Sequence, residues 1–177
     1  MNYYEFVTVW RFDAPLEKVW ACIKDSETWS DWWKGVLKVE KLKDGDSRGI
    51  GAIHRSTWKS ALPYKLVFDS ETVRIEELKL IEIRAFGELD GTGLWTLTAE
   101  TENTTRVQYD WTVRTTKRWM NFLAPVAKPF FRWNHDTIMN WGGEGLAKKL
   151  NCNLLEVKEK SATNRHKKTR NSSNSYS

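Results

Sequence analysis

Imidazole is the side chain most readily poised for proton transfer near neutral pH, so the three histidines, at 54, 135 and 166, come first. His54 shares an alternating stretch with Ser56 and Trp58, which places all three on one face of a strand. An inward histidine among aromatic rings is the best-placed acid–base candidate in the chain. Its plainer role is a hydrogen-bonded residue of the wall. His135 precedes Asp136. A carboxylate can orient an imidazole for general-base work. Consecutive helical residues, however, point about 100° apart, so the two side chains are expected to diverge and to make packing contacts. The histidines lack ligand spacing, and Cys22 and Cys152 are isolated, so neither a metal site nor a disulfide framework is expected. No nucleophile elbow, phosphate loop or dinucleotide fingerprint is present, and no cofactor is expected.

Asn134 introduces the element that must position such groups. Over residues 129–150, Phe130, Phe131, Asn134, Ile138, Trp141 and Gly145 fall within a sector of about 100°, the width of a core-facing helical stripe. The amide sits in the middle of that stripe. Left unpaired in a buried place it would cost about 1–3 kcal/mol, so it either bonds a strand or loop backbone or anchors the polar group of a ligand. Gly142, Gly143 and Gly145 lie within the helical pattern and read as close approach of helix to sheet. Pro125 and Pro129 predict a kink or restart upstream.

The rest of the chain supplies a sheet. Residues 3–13 alternate as a strand. Ala14-Pro15 opens a helix to about Lys24, with Leu16, Val19, Trp20 and Ile23 as its stripe, and a short helix at 27–33 carries Trp29, Trp32 and Trp33. Period-two patterns then predict strands at about 36–43, 49–59, 63–75, 78–87, 93–101 and 105–115. Asp44-Gly45 and Asp90-Gly91 are hairpin signals. No later strand pair is separated by a helical crossover, so the sheet is antiparallel. Val107, Tyr109, Trp111 and Val113 share one face, as do Tyr64, Leu66 and Phe68, opposite charged residues. Strands this long curl. One helix about 10 Å across cannot fill the hollow, which is therefore plugged by bulky side chains or left as a cavity.

Composition narrows the function. The 177 residues suit one domain, with 40% hydrophobic and 29% charged residues. Eleven tryptophans, each able to bury roughly 150–250 Å², must fill a core, line a pocket or face a partner. The net charge is +5, of which residues 151–177 hold +4 and the preceding 150 only +1. A specific nucleic-acid footprint on the fold is not indicated. The terminal run is polar, basic and aperiodic, and is expected to be disordered, with at most a weak contact to anionic membranes. No apolar run reaches membrane-spanning length and no secretory leader is recognised, so a cytoplasmic protein, monomer or homodimer, is expected.

The order β-αα-β6-α, the Ala14-Pro15-Leu16-Glu17-Lys18-Val19-Trp20 helix start and the following Trp29-Ser30-Asp31-Trp32-Trp33 resemble the START-like helix-grip (SRPBCC) superfamily. That group includes polyketide cyclase/dehydrase and lipid-transport-type proteins. Arg132-Trp133-Asn134-His135-Asp136, with Met139, Gly142 or Gly143, and Gly145-Leu146, resembles the last helix of its polyketide-cyclase-like bacterial members. The resemblance covers residues 1–150. It implies an α+β helix-grip fold, a curved antiparallel sheet of about seven strands around a long C-terminal helix, with a deep pocket for apolar or amphipathic small molecules. The candidate ligand-binding residues are His54, Trp58, Tyr64, Trp95, Tyr109, Trp111, Phe131, Asn134 and Ile138. Three functions stay open: a binder or carrier of a lipid- or polyketide-like molecule, a cyclase- or dehydratase-type enzyme using His54, Tyr109 or Asn134, and an interaction module whose cavity is filled.

Overall fold

The computed structural model describes the backbone of residues 3–59, 64–116 and 118–161, and the side chains of these apart from 3, 118–128, 160 and 161. Strand β1 (Tyr3–Phe12) leads into helix α1 (Leu16–Lys24), a 3-10 turn (Ser26–Thr28) and the four-residue helix α2 (Trp29–Trp32). Strands β2 (Val36–Lys43), β3 (Ile53–Lys59), β4 (Lys65–Glu76), β5 (Leu80–Gly87), β6 (Leu89–Thr101) and β7 (Thr104–Thr115) follow as a meander. Helix α3 (Arg118–Leu150) and strand β8 (Leu154–Ser161) complete the described chain.

The strands form one sheet in the order β2-β3-β4-β5-β6-β7-β1-β8. Every neighbouring pair is antiparallel. The period-two pattern of β7 is realised residue by residue. Thr105, Val107, Tyr109, Trp111, Val113 and Thr115 are buried, and the residues between them are not. These side chains face α1 and α3 across a core in which Trp10, Phe12, Trp33 and Leu146 are at most 1% exposed. Thr105, also fully buried, is satisfied because its hydroxyl donates to the Ala14 carbonyl at 2.8 Å.

The α+β helix-grip architecture is as expected, with four local departures. The sheet has eight strands rather than about seven, because residues 154–161, expected to be disordered, pair with β1 from Phe6↔Ser161 to Phe12↔Leu154. A charged, lysine-bearing sequence hides an edge strand well, since lysines blunt an exposed edge against further pairing. The expected disorder of residues 162–177 falls outside the described residues. Asp90-Gly91 is no hairpin turn. Both lie inside β6, where Gly91 pairs Val113, and a Cβ there would come within 2.1 Å of the Thr112 carbonyl oxygen. Strand β3 begins at Ile53, not near 49, because Asp46 folds the preceding loop by accepting from the amides of Arg48 and Ile50. Helix α3 shows no restart and runs through Pro125 and Pro129.

A local device connects α3 to β8. Asn151 has a φ of 51°. Its amide donates to the Lys148 carbonyl at 3.2 Å, and that of Cys152 donates to Ala147 at 3.0 Å. This is the paired Schellman arrangement that ends a helix with a left-handed residue. It turns the chain back so that β8 can lie along β1.

Candidate functional site

Between the sheet and α3 lies a cavity of about 140 Å³ with an almost wholly apolar lining. Eight of the nine candidate residues meet in its wall: Trp58 and Tyr64 beside the β3–β4 connection, Trp95 from β6, Tyr109 and Trp111 from β7, and Phe131, Asn134 and Ile138 from α3. Trp95 stacks on Tyr109 with ring centroids 3.9 Å apart, and Tyr109 on Trp111 at 5.6 Å. Gly93 makes this flat wall possible. A Cβ there would meet the Tyr109 hydroxyl at 2.6 Å and the Trp111 ring at 2.8 Å. Burial pushes the Tyr109 phenol well above its ordinary pKa, so it stays protonated. Asn134 is half-buried in the wall and engaged in an interaction of its own.

His54 is the residue the structure does not bring in. It lines a separate polar hollow with Lys24, Glu27 and Lys41, its Nε2 3.6 Å from a Glu27 carboxylate oxygen that also binds Lys41 at 3.0 Å. Trp58 lies four residues further along β3, a reach of about 13 Å. Alternation along a strand assigns a face, but a curled sheet offers two hollows, and Trp58 and His54 line different ones. His54 is therefore not placed to act on anything held in the apolar cavity.

The wall also contains residues that the strand and helix patterns displayed without marking as a site. Tyr4 and Phe6 come from β1, Trp29 and Trp33 from α2 and its end. The i, i+4 spacing of Trp29 and Trp33 was the available signal. Trp33 packs edge-on against Trp58 at 5.1 Å and donates its indole N–H to the Ile138 carbonyl at 2.8 Å. Gly142 is the seat for this ring, since a Cβ there would lie 2.4 Å from it, and a Cβ at Gly145 would lie 1.9 Å from the Trp32 carbonyl oxygen. These two glycines thus admit α2 rather than the sheet. Gly143 faces Trp10 of β1 and Leu154.

Two cavity groups are buried with no hydrogen-bond partner among the described residues, the Tyr4 hydroxyl and the Trp58 indole N–H. His135 is a third wall residue with such an atom, Nε2. Its ring stacks on Phe6 at 4.0 Å, and Nδ1 lies 3.4 Å from an Asp136 oxygen. The two side chains do converge, because the flexible carboxylate closes the angle that the helical phase opens. Burial holds the His135 imidazole below its ordinary pKa, partly offset by Asp136. On the other side stands Glu159 of β8, whose Oε2 accepts from the Thr8 hydroxyl at 2.7 Å. Donor atoms of His135, Asp136 and Glu159 lie within 4.8 Å of one another. Sequence spacing along one helix could not show this group, because its third member comes from the strand that was not foreseen.

The model of the polyketide cyclase / dehydrase and lipid transport family matches residues 5–158. The chain belongs to this family. The match extends into β8 as far as Lys158. No curated protein matches the sequence. Among solved structures, those of similar fold include cyclases and a START superfamily protein. The Zhui aromatase/cyclase from Streptomyces superposes with a TM-score of 0.71 at 14% identity, covering 85% of this chain and 94% of that one. A START superfamily protein from Mycobacterium smegmatis gives 0.68 at 14% identity, covering 84% and 98%. A protein from Thermus thermophilus gives 0.64 at 20% identity, covering 82% and 99%. At these identities the likeness is one of fold.

Proposed function

We propose that this protein binds a small hydrophobic or amphipathic molecule, lipid- or polyketide-like in character, in the cavity between the sheet and α3. The observation that carries this reading is an aromatic cavity whose wall holds two buried donors without a partner among the described residues, Tyr4 Oη and Trp58 Nε1. Apolar walls supply affinity, and a few converging polar groups fix orientation. Each unpaired donor costs about 1–3 kcal/mol, a cost that a ligand oxygen relieves.

Volume sets the size of that ligand. A cavity of about 140 Å³ is close to the ~150 Å³ hole that holds one benzene. It is below the roughly 300–1,000 Å³ of drug-sized sites. A single ring or a short chain bearing an oxygen fits as the walls stand. A fused polycycle or a long acyl chain requires Trp58 or Phe131 to swing aside.

Native mass spectrometry of the freshly purified full chain, followed by titration with one-ring phenols and with medium-chain alcohols, tests the reading. A co-purifying compound, or saturable binding that weakens in Trp58→Ala, supports it. A chain that emerges empty and ignores both probe sets overturns it.

A second reading, a cyclase- or dehydratase-type enzyme, is favoured by one observation: His135 stands in the wall with Asp136 at Nδ1, the arrangement of an oriented general base. A His135→Gln variant that binds normally but loses turnover of an enolisable ketone would support it.

A further inference from the structure

We propose that His135, Asp136 and Glu159 form a binding site for a divalent first-row transition ion, Zn²⁺ in the first instance, at the seam of α3 and β8. The proposal does not depend on the ligand reading above.

Three features of the seam point to it. The first is spacing. Around a tetrahedral ion with bonds of about 2.0–2.1 Å, neighbouring donor atoms sit ~3.3 Å apart. His135 Nδ1 and Asp136 Oδ1 are 3.4 Å apart. That is long for a charge-assisted hydrogen bond, normally about 2.7–2.9 Å, and right for two ligands of one ion. The third donor lies within 4.8 Å, so closure needs a side-chain movement of about 1.5 Å, from the ~3.3 Å ligand spacing.

The second is an unmet polar atom. Glu159 Oε1 is buried and has no hydrogen-bond partner among the described residues, and neither does His135 Nε2. A cation bound through Glu159 Oε1 and His135 Nδ1 gives the carboxylate its counter-charge and leaves Nε2–H as a donor beside the cavity.

The third is support around the donors. Thr8, 1% exposed, donates to the oxygen of Glu159 that the ion does not need. Phe6 clamps the imidazole face at 4.0 Å. Metal ligands are held by such outer contacts, and one imidazole with two carboxylates suits zinc and its first-row neighbours. Three protein ligands leave one position open for water or for an oxygen of a bound molecule.

The test uses the full chain, stripped with chelator and dialysed against Zn²⁺, with metal content measured by mass spectrometry and affinity by competition with a chromophoric chelator. The expected result is one zinc per chain. Glu159→Gln and Asp136→Asn should each weaken binding at least tenfold, and Thr8→Val by about 10–100-fold. Glu159→Gln removes a buried ionisable group, so the fold is retained. A melting curve in chelator confirms this independently of metal. The proposal is overturned by an unmodified chain that takes up no stoichiometric zinc. Unchanged affinity in both carboxylate variants also overturns it, as does a thiolate band in the Co²⁺-loaded spectrum, which would place the ion at a cysteine.

Discussion

At the scale of single residues, two buried groups decide how the protein responds to its surroundings. Burial lifts the Glu159 carboxyl to about 8, against an ordinary value of 4.5. Folding therefore takes up a proton at this position. Its contribution to stability is present in full below the ordinary carboxylate range and is lost as pH rises through the folded value. The metal-free melting temperature should thus fall between about pH 5 and pH 8 by an amount that disappears in Glu159→Gln, as differential scanning calorimetry across that range would show. The second group is the Tyr4 hydroxyl, buried without a partner among the described residues. Tyr4→Phe should raise the stability of the free protein by about 1–3 kcal/mol, the cost of an unsatisfied buried group. The same change should weaken binding of phenols more than that of the matching arenes. A denaturant melt and a paired titration check both halves, and equal losses for phenols and arenes would sink the assignment.

Elements were more legible in the sequence than the site was. Strand periodicity found β1 and the β2–β7 meander to within a few residues, because one face of each strand packs a core while the other meets charge. The helical stripe found α3, and with it Phe131, Asn134 and Ile138. The same patterns misplaced His54, since periodicity reports the face of a strand and not the position along a curled sheet. They also missed β8, whose alternation is masked by lysines and glutamates, and with it the partner of His135 and Asp136. What reveals β8 is its connector. Asn151, at φ 51°, occupies a conformation that costs a branched L-residue about 1–2 kcal/mol and costs glycine nothing comparable. Asn151→Gly should leave the melting temperature unchanged or slightly higher. Asn151→Val should destabilise by at least about 1 kcal/mol and speed amide exchange in β8. If valine were harmless there, the connector would not be fixing the strand.

For the molecule as a whole, the helix-grip design places α3, the only long helix among the described residues, across a sheet that is closed on one side by β8. Truncation after Leu150 therefore uncovers the β1 edge and the Glu159–Thr8 seam together. Losing seven β1–β8 residue pairs should lower the melting temperature by about 10 °C, taking several kcal/mol at roughly 2–4 °C each for a chain of this size. A thermal melt of the truncated chain showing no change would mean that the strand is ornamental.

The tryptophan cluster has an optical consequence. Trp33 lies 5.5 Å from Trp10, 5.3 Å from Trp29 and 5.1 Å from Trp58. At such spacings the indole transitions are electronically coupled. Excitation of one ring migrates to its neighbours before emission, and the near-ultraviolet circular dichroism is the signal of an assembly rather than of separate chromophores. Trp58 is both a member of this network and a wall of the cavity. Anything that enters the cavity then reports itself through all of the coupled rings, without a label.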